Sequence, residues 1–351
     1  MKKRLLITLD FPPEKGGIQH YLEQIVEHTY TADDLVIAGV CRNHTSKKAY
    51  PCPVNYTCSF LHRINNKFSL INILFLAYRH IVKQHYFVEC GNVYAAVIPY
   101  LFSFFYKVKY AVYTYGTEIT GLKTKSLKAI FLKRVLSEAE TLYVLGPYTH
   151  SLLKRSGIDK KVKVVSPKID YQPALFKMER KSDPFKILSV GRLVYHKGHD
   201  ILIRAVAQLP SELKWSLTII GRGPLEKKLN SLSANLGVQD KVNIYADADD
   251  TALESEYKEA SLFVLPSRED RKGTEGFGIV LLEAMNHGIP IIASNSGGIP
   301  DVLDNGRCGE LVEPNSPESL ALAIQKLATN QDVRSEYVRR ASHRLEEHYV
   351  W

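Results

Sequence analysis

The stretch "LFVLPSREDRKGTEGFGIVLLEAMNHGIPIIASN" (Leu262–Asn295) decides the fold of its half of the chain. Two short apolar runs, "LFVLPS" and "PIIASN", have the length of buried strands, and an apolar segment opened by a Gly-Phe-Gly turn lies between them. A strand, a helix and a second apolar strand predict a parallel sheet that is covered on both faces. The glycine turn then follows the carboxyl end of a strand, which is where ligands bind in such sheets.

The same alternation continues on both sides of this stretch. Upstream come the predicted strands "FKILSVG", "WSLTIIG" and "VNIYA", with amphipathic segments between them, and the first half repeats the pattern in "RLLITL", "DLVIAGV", "YAVYTYG" and "TLYVLG". The sequence therefore predicts two Rossmann-like, doubly wound α/β domains that face each other across a cleft. We expect an N-terminal domain over residues 1–166, a polar, proline-containing linker over 167–184 and a C-terminal domain over 185–351.

Composition supports a folded protein of two domains. The chain has 351 residues, of which 45% are hydrophobic and 24% charged. Its five cysteines are an odd number without CxxC spacing, which favours thiols in a reducing compartment over disulfides or a zinc site. The first apolar run, in "MKKRLLITLD", is too short for an export signal, and the most apolar internal stretch, Ser69–Tyr78, is too short to span a bilayer.

The positive charge is concentrated in the first half. Residues 1–165 contain 23 Lys and Arg against 11 Asp and Glu, and aromatic residues are interleaved, as in "LFSFFYKVKY" (Leu101–Tyr110). Such a face is typical of contact with anionic lipid or a lipid-linked phosphate, and a solvated basic surface is the alternative. We therefore predict a cytoplasmic protein in peripheral contact with the inner face of a membrane through its N-terminal domain. The sequence contains no nucleic-acid motif, so we predict no nucleic-acid partner.

Glycine turns after predicted strands are candidates for ligand binding. Gly16 and Gly17 open a helix after the first strand, where free backbone N–H groups favour an anion; a tight connection is the alternative. Arg192 and Lys197 follow another strand, where a guanidinium and an ammonium suit a diphosphate, although most Lys and Arg are solvated surface residues. The predicted donor site also includes Gly191, at the end of that same strand, and Gly221 and Tyr245, at the ends of two further strands.

The Gly-Phe-Gly turn brings two carboxylates close to a helix start. Uncapped N–H groups near Gly278 would attract an anion, whereas Glu275 and Glu283 would repel phosphate. We interpret these acids as acceptors for sugar hydroxyls on either side of the phosphates. In the alternative, Glu275 stabilises the helix dipole and Glu283 is an ordinary surface residue, but Glu283 lies in the apolar run "IVLLEAM", where a lone charge is costly.

At these residues the sequence resembles the retaining nucleotide-sugar glycosyltransferases of family four, which have the GT-B fold. The resemblance is carried by "VGRLVYHKGHDILIRA", "LTIIGRGP", "VLPSREDRKGTEGFGIVLLEAMNHGIPIIASNSGGIPDVL" and "CGELVEPNSPESLA", and in the first half by "FPPEKGGIQHYLEQI". Glu275 and Glu283 fall on the E-x7-E motif of that family.

The resemblance implies a role for each matching residue. Arg192 and Lys197 match the pair that holds the donor diphosphate, Glu275 the acid beside the transferred sugar, and Glu283 the ribose-binding acid. Gly17 matches the glycine that closes over the phosphates. The loop whose backbone faces sugar and phosphate corresponds to Gly276, Phe277, Gly278 and Ile279.

The chain departs from the family pattern at three places. In "YTYGTEI", Tyr115 stands where many members have a histidine, so that Tyr115 and Glu118 are candidate contacts for sugar or acceptor. Arg222 stands where aspartate is commoner, and the sequence ends at "EEHYVW", where many members continue into a helix that crosses back to the first domain.

The resemblance implies transfer of a hexose with retention from a nucleoside-diphosphate sugar, with a UDP-sugar such as UDP-glucose favoured over GDP-mannose. The expected acceptor is lipid-linked or a glycan, in a polysaccharide or surface-glycan pathway. No metal or other cofactor is expected, and the Asp-x-Asp in "DADD" (Asp247–Asp250) is interpreted as an acidic helix start. A catalytically inactive donor-binding relative and a sugar-nucleotide epimerase are the alternatives, and the lack of GxGxxG after a strand disfavours a dehydrogenase.

Overall fold

The computed structural model describes residues 3–14, 16–39, 48–57, 69–84, 86–124, 126–171, 183–246, 248–270 and 273–351. Its contacts divide the chain into two compact units, Met1–Pro167 and Lys168–Trp351. Most of the predicted linker, residues 172–182, lies outside the described residues, as do Cys41, Cys58 and Asp247. The linker and the assignment of acceptor and donor to the two domains stay predictions.

The first unit is built on a wholly parallel sheet of seven strands. The strands are β1 (Arg4–Thr8), β2 (Leu35–Gly39), β3 (Val54–Thr57), β4 (Phe87–Cys90), β5 (Tyr110–Thr114), β6 (Thr141–Val144) and β7 (Val162–Val164). The helices are α1 (Gly17–Thr29), α2 (Ser69–Tyr78), α3 (Val97–Ser103), α4 (Thr117–Thr120), α5 (Leu127–Glu138) and α6 (Pro147–Arg155). A short π-helix, Arg79–Lys83, continues α2, and a 3₁₀ turn, Gly121–Lys123, continues α4.

The second unit has a wholly parallel sheet of six strands. These are β8 (Phe185–Val190), β9 (Trp215–Ile220), β10 (Val242–Tyr245), β11 (Leu262–Leu265), β12 (Ile291–Ser294) and β13 (Glu310–Val312). The helices are α7 (His199–Val206), α8 (Glu226–Asn235), α9 (Asp250–Glu259), α10 (Ile279–Asn286), α11 (Ile299–Val302), α12 (Pro317–Thr329) and α13 (Gln331–His348). Short 3₁₀ turns lie at Tyr195–Lys197, Gln239–Lys241 and Asp304–Gly306.

The strand order fixes where each sheet can bind a ligand. The first sheet runs β3-β2-β1-β4-β5-β6-β7, and the second runs β10-β9-β8-β11-β12-β13. In each, the order reverses beside the first strand, between β1 and β4 or between β8 and β11. The loops after those two strands therefore diverge and leave a crevice at the carboxyl edge.

The central strands read as continuous apolar runs because both faces of each sheet are covered. Strands β2, β5, β11 and β12 are buried at every residue, as expected for parallel strands between helices. The stretch Leu262–Asn295 forms the unit β11–α10–β12. The predicted fold class, two Rossmann-like α/β domains, is confirmed.

The polar residues at the start of α9 behave as predicted for a helix start. The Asp249 carboxylate accepts a hydrogen bond from the Ala252 N–H at 2.8 Å, and Asp250 is the first helical residue. The described cysteines, Cys52, Cys90 and Cys308, are free and buried. No helix among the described residues combines the length and the apolar character that crossing a bilayer requires.

Candidate active site

The turn after β8 is fastened to the chain that follows β11. The 3₁₀ turn Tyr195–Lys197 ends at Gly198, which has a left-handed backbone (φ 70°). A Cβ at Gly198 would lie 1.9 Å from the carbonyl oxygen of Pro266, so only glycine permits this approach. Lys197 is thereby held at the switch point of the second sheet.

Lys197 and Glu275 form an ion pair at this edge. The Nζ of Lys197 lies 2.5 Å from Oε2 of Glu275, and the two side chains are only 13% and 12% exposed. The Ser267 hydroxyl donates a second hydrogen bond to the same carboxylate oxygen at 3.2 Å. Burial by itself raises the pKa of Glu275, but the charge and hydrogen bond of Lys197 outweigh it and leave the pKa below its usual value. The carboxylate is therefore ionised at neutral pH.

The glycine turn ends in the N-terminus of α10. Gly278 has a left-handed backbone (φ 89°) and precedes Ile279, the first helical residue. No side chain in the described part of the chain caps this helix, so its first N–H groups are available to an anion. The Phe277 ring is buried and packs edge-on against Tyr349, with 5.6 Å between ring centroids, so that only its backbone can face a ligand.

Two glycines after β12, which the sequence reasoning missed, support the Glu275 turn. The Gly298 N–H donates to the Glu275 carbonyl oxygen at 2.8 Å. A Cβ at Gly297, whose φ is 61°, would lie 2.2 Å from that same oxygen, and a Cβ at Gly298 would lie 2.2 Å from the Gly276 carbonyl oxygen. The signal was present in "NSGGIP", because paired glycines after a buried strand mark a close backbone approach.

Glu283 is held by a side chain from a neighbouring helix. The hydroxyl of Tyr257, on α9, donates to Glu283 Oε2 at 2.6 Å. The ring of His287 stacks on Tyr257 with 4.9 Å between centroids, and His287 Nδ1 lies 2.8 Å from the Glu283 carbonyl oxygen. Nothing local in "ALESEYKEA" marks Tyr257, which the sequence reasoning also missed. Glu283 lies in the first turns of α10, but its part in binding ribose stays a prediction.

The remaining residues of the predicted donor site also lie along this strand edge. The Gly221 N–H donates to the Tyr245 carbonyl oxygen at 3.0 Å, and a Cβ at Gly221 would lie 2.0 Å from the Gly191 carbonyl oxygen. The ends of β8, β9 and β10 are thus joined by backbone contacts. The side chains of Arg192 and Tyr245 are exposed there.

A buried histidine lies beneath the turn after β8. His199 Nε2 lies 3.3 Å from the Gly191 carbonyl oxygen, and Nδ1 lies 3.3 Å from the Ser189 hydroxyl. Burial, with the nearby charge of Lys197, lowers the pKa of His199 to about 4. His199 is therefore neutral at pH 7, and the positive charge at this turn belongs to Lys197 and Arg192.

Residues 171–344, which contain Lys197, Glu275 and the whole of α10, match the family model of the glycosyl transferases group 1. The chain belongs to the group 1 glycosyltransferases.

Curated relatives of this glycosyltransferase extend the likeness over most of the chain. A GDP-mannose-dependent alpha-(1-6)-phosphatidylinositol monomannoside mannosyltransferase of Mycolicibacterium smegmatis is 26% identical over 343 residues, which cover 92% of this chain and 88% of the relative. An uncharacterized glycosyltransferase of Methanocaldococcus jannaschii is 34% identical over 171 residues, or 49% of this chain and 43% of that protein.

Solved structures show the fold of this glycosyltransferase. A crystal structure of Anabaena HepE in complex with UDP and glucose matches with a TM-score of 0.80 at 18% identity, covering 100% of this chain and 96% of that chain. Sucrose-phosphate synthase from Thermosynechococcus elongatus matches with a TM-score of 0.83 at 20% identity, with coverage of 100% and 96%. These neighbours are GT-B glycosyltransferases, and the predicted GT-B class is confirmed.

The first unit of the glycosyltransferase contains the other predicted site residues. Gly16 and Gly17 are exposed at the start of α1. Tyr115 is buried, and its hydroxyl donates to the Gly91 carbonyl oxygen at 2.6 Å, so this hydroxyl is already engaged in the protein. Its role toward sugar or acceptor stays a prediction.

Glu118 lies at the switch-point edge of the first sheet together with two residues that the sequence reasoning missed. Its carboxylate accepts a hydrogen bond from the Tyr115 N–H at 2.5 Å. Burial raises the pKa of Glu118 to about 7; backbone hydrogen bonds oppose this, and the nearby Asp10 adds to it. Asp10, just after β1, accepts a hydrogen bond from the Asn92 side-chain amide at 2.6 Å. Asp10 and Asn92 each follow a strand that flanks the switch point.

No cluster of three or more His, Cys, Asp or Glu side chains within the described residues has the arrangement of a metal site.

Proposed function

We propose that this glycosyltransferase moves a hexose, with retention of anomeric configuration, from a nucleoside-diphosphate sugar to a lipid-linked or glycan acceptor. The observation that carries the proposal is the Lys197–Glu275 ion pair beside the uncapped N-terminus of α10, at the switch point of the second sheet. Cation, helix N-terminus and carboxylate together suit a ligand that has phosphates next to a polyol.

The leaving diphosphate is stabilised by three positive groups in this mechanism. Lys197 and Arg192 follow β8, and the N–H groups of α10 begin after Gly278. Charge develops on the phosphate oxygens as the sugar departs, and fixed donors stabilise that charge without reorganising. These groups supply the charge that a divalent metal would otherwise provide, so the mechanism needs no metal or other cofactor.

The two glutamates bind the sugars on either side of the diphosphate. Glu275 accepts hydrogen bonds from hydroxyls of the transferred hexose, while Lys197 keeps it ionised and in place. Glu283 accepts hydrogen bonds from the ribose, held in position by the Tyr257 hydroxyl. Gly191, Gly221 and Tyr245 line the nucleoside end of the donor site, where close backbone contacts join the ends of their strands.

The chemical step is a front-face displacement. The bond from C1 of the hexose to the phosphate oxygen breaks, a bond from C1 to the acceptor oxygen forms on the same face, and the acceptor proton passes to the departing phosphate. Oε2 of Glu275 is engaged by Lys197 Nζ at 2.5 Å and by the Ser267 hydroxyl at 3.2 Å, so we assign this carboxylate to hydroxyl binding rather than to attack on C1. A covalent glycosyl-enzyme intermediate is therefore not part of the mechanism.

The first unit binds the acceptor in this scheme. Glu118 and Tyr115 lie at its strand edge with Asp10, a setting that suits hydroxyl groups of a glycan or lipid headgroup. Gly16 and Gly17, before and at the start of α1, offer backbone N–H groups to phosphate. The phosphatidylinositol mannoside named for the mycobacterial relative supports a lipid-linked acceptor, in surface-glycan synthesis at the cytoplasmic face of a membrane.

The similar proteins favour two different donors for this enzyme. The sequence favours a UDP-sugar such as UDP-glucose, and a fold neighbour is bound to UDP-glucose, whereas the mycobacterial relatives are named GDP-mannose-dependent. A thermal-shift comparison of UDP-glucose, GDP-mannose and ADP-glucose separates them, because a ligand that binds only the folded state raises the melting temperature. The donor should raise it by several degrees at saturation, and Lys197→Met should abolish the rise.

A labelled donor then tests the reaction itself with a lipid acceptor. We expect a glycolipid whose anomeric configuration, measured by NMR, equals that of the donor. An inverted product would refute the mechanism. Binding without transfer or hydrolysis would favour an inactive donor-binding relative, and a new sugar nucleotide formed without acceptor would favour an epimerase.

A further inference from the structure

Exposed apolar side chains are concentrated on one surface of the first unit. Among the described residues, ten of the fifteen exposed large hydrophobic side chains belong to α2, to the segment from α3 to residue 106, and to α5. They are Phe75, Leu76, Tyr78, Leu101, Phe104, Phe105, Tyr106, Leu127, Ile130 and Phe131. We call this the α2–α3–α5 surface. Several members are almost fully exposed, Phe105 at 83% and Leu127 at 86%.

Ring contacts link the three elements of this surface. Tyr78 of α2 lies 5.8 Å from Phe102 and 6.3 Å from Tyr106 between ring centroids. Tyr100 of α3 lies 5.1 Å from Phe104 and 5.8 Å from Phe131 of α5. A concentration of exposed apolar side chains on adjoining elements indicates an interaction site rather than scattered surface residues.

Helix α5 is apolar on two sides, which a helix facing only water would not be. Its buried side contributes Leu132, Val135 and Leu136 to the core. Its exposed side presents Leu127, Ile130 and Phe131, which are spaced three and four residues apart and form one stripe. The core therefore does not account for that stripe.

Basic residues lie on or next to the elements that form the apolar surface. Arg79 follows α2, Lys107 follows Tyr106, and Lys128 and Arg134 lie on α5; all four are exposed. Arg134 is paired with Glu138, and Lys128 donates to the Tyr94 hydroxyl at 2.9 Å. By composition, residues 1–165 contain 23 Lys and Arg against 11 Asp and Glu. The surface therefore combines exposed aromatic rings with exposed basic side chains.

We propose that the α2–α3–α5 surface docks on an anionic lipid bilayer, with Phe104, Phe105 and Leu127 inserted at the headgroup boundary. Aromatic rings partition into that boundary, and nearby Lys and Arg side chains are attracted to anionic lipid. Charge complementarity selects this occupant. A second copy of the chain would bring two positively charged surfaces together, which is repulsive.

Docking of the α2–α3–α5 surface would bring the protein to a bilayer that holds a lipid acceptor, but the inference does not rest on the catalytic proposal. The residues of this surface are separate from the strand-edge residues of either unit, and membrane binding can be measured without turnover. Failure of one proposal therefore leaves the other in place.

Flotation of the full chain with vesicles tests the inference. Vesicles of phosphatidylcholine with phosphatidylglycerol should carry the wild-type protein, and vesicles of phosphatidylcholine alone should carry much less. The double variant Phe104→Ser, Phe105→Ser should lower the partition coefficient about tenfold or more, because burying one Phe contributes about 1.5–3 kcal/mol. Lys107→Glu should weaken binding most at low salt, where charge attraction is least screened.

Matched variants in the second unit serve as controls. Leu322→Ser replaces an apolar residue that is 68% exposed on α12, and Lys227→Glu reverses an exposed charge on α8; both should bind vesicles as the wild type does. Unchanged melting temperatures show that the variants are folded. Equal vesicle binding by wild type and the double variant would overturn the proposal. So would a soluble dimer that the double variant dissociates while vesicles carry neither protein.

Discussion

The two units use the same sheet architecture but build their carboxyl edges in different ways. In the second unit, glycine backbones at Gly198, Gly221 and Gly297 lie directly against neighbouring carbonyl oxygens, and the side chains at the edge are a charged pair. In the first unit, side chains make the main contacts: Tyr115 to the Gly91 carbonyl, and Asn92 to Asp10.

This difference teaches which edge tolerates change. Backbone packed on backbone leaves no room for even one methyl group, so the second edge has a single arrangement of loops. Side-chain hydrogen bonds can be exchanged for others of similar shape, so the first edge can vary while the fold is kept. The expected variant effects follow that division.

The largest effect should come from Lys197→Met. It removes a group proposed to stabilise the leaving diphosphate, and loss of one such donor lowers kcat by about 10²–10³. It also removes the cation that is paired with the buried Glu275 carboxylate, so the pKa of Glu275 should rise. Steady-state kinetics with the identified donor measure the loss, and Lys227→Met on α8 is the control. A decrease in kcat of less than about threefold would show that catalysis does not depend on the ion pair.

Gly297→Ala should disturb the same edge through the backbone. The added Cβ would meet the Glu275 carbonyl oxygen at 2.2 Å, so we expect a loss of about 2–4 kcal/mol in the free energy of unfolding, with weaker donor binding. Gly237→Ala is the matched control, since Gly237 also has a left-handed backbone but nothing within 4 Å of a Cβ, and it should cost only about 1 kcal/mol. Equal losses in urea denaturation would show that the close approach is unimportant.

Tyr257→Phe should have a smaller and more selective effect. It removes the hydroxyl that donates to Glu283 at 2.6 Å, a hydrogen bond to a charged group that contributes about 1.5 kcal/mol. We expect the donor KM to rise about tenfold while kcat changes little. The control is Tyr337→Phe, whose hydroxyl donates to Glu310 at 2.6 Å in the same unit. A rise in KM with both variants would indicate a general loosening of the unit.

The smallest effect concerns Glu118 in the first unit. The pKa of Glu118 is raised from 4.5 to about 7, so between pH 4.5 and about pH 7 the carboxyl group is more protonated in the folded state than in the unfolded chain. The free energy of unfolding therefore falls as pH rises through that window, and Glu118→Gln should remove this fall. The variant should be more stable than wild type at pH 8 by on the order of 1 kcal/mol, and should show no such gain at pH 4.5.

Thermal unfolding at the two pH values measures the Glu118 effect, with the exposed Glu140→Gln as control. A gain that is equal at both pH values would contradict the raised pKa.

The sequence predicted the strands of the second unit better than those of the first. Strands such as β8, β9 and β11 are buried apolar runs that end on a glycine or a proline, so local pattern identifies them. The short strands β3, β4, β7 and β13 went unpredicted, since three or four residues carry too little periodicity. Missing β4 also hid Asn92, because β4 forms one side of the switch point.

By itself the sequence determined the alternation of strands and helices, the parallel sheets and the positions of Lys197 and Glu275 after strands, since turn glycines and apolar periods are local properties. Only the tertiary structure decided the strand order, and with it the pairing of Lys197 with Glu275 across 78 residues. It also decided the close approach of Gly297 to the Glu275 carbonyl oxygen and the hydrogen bond from the Tyr257 hydroxyl to Glu283. It also decided that one side of α5 stays uncovered. Composition marks a helix as apolar, but burial depends on whether another element packs against it.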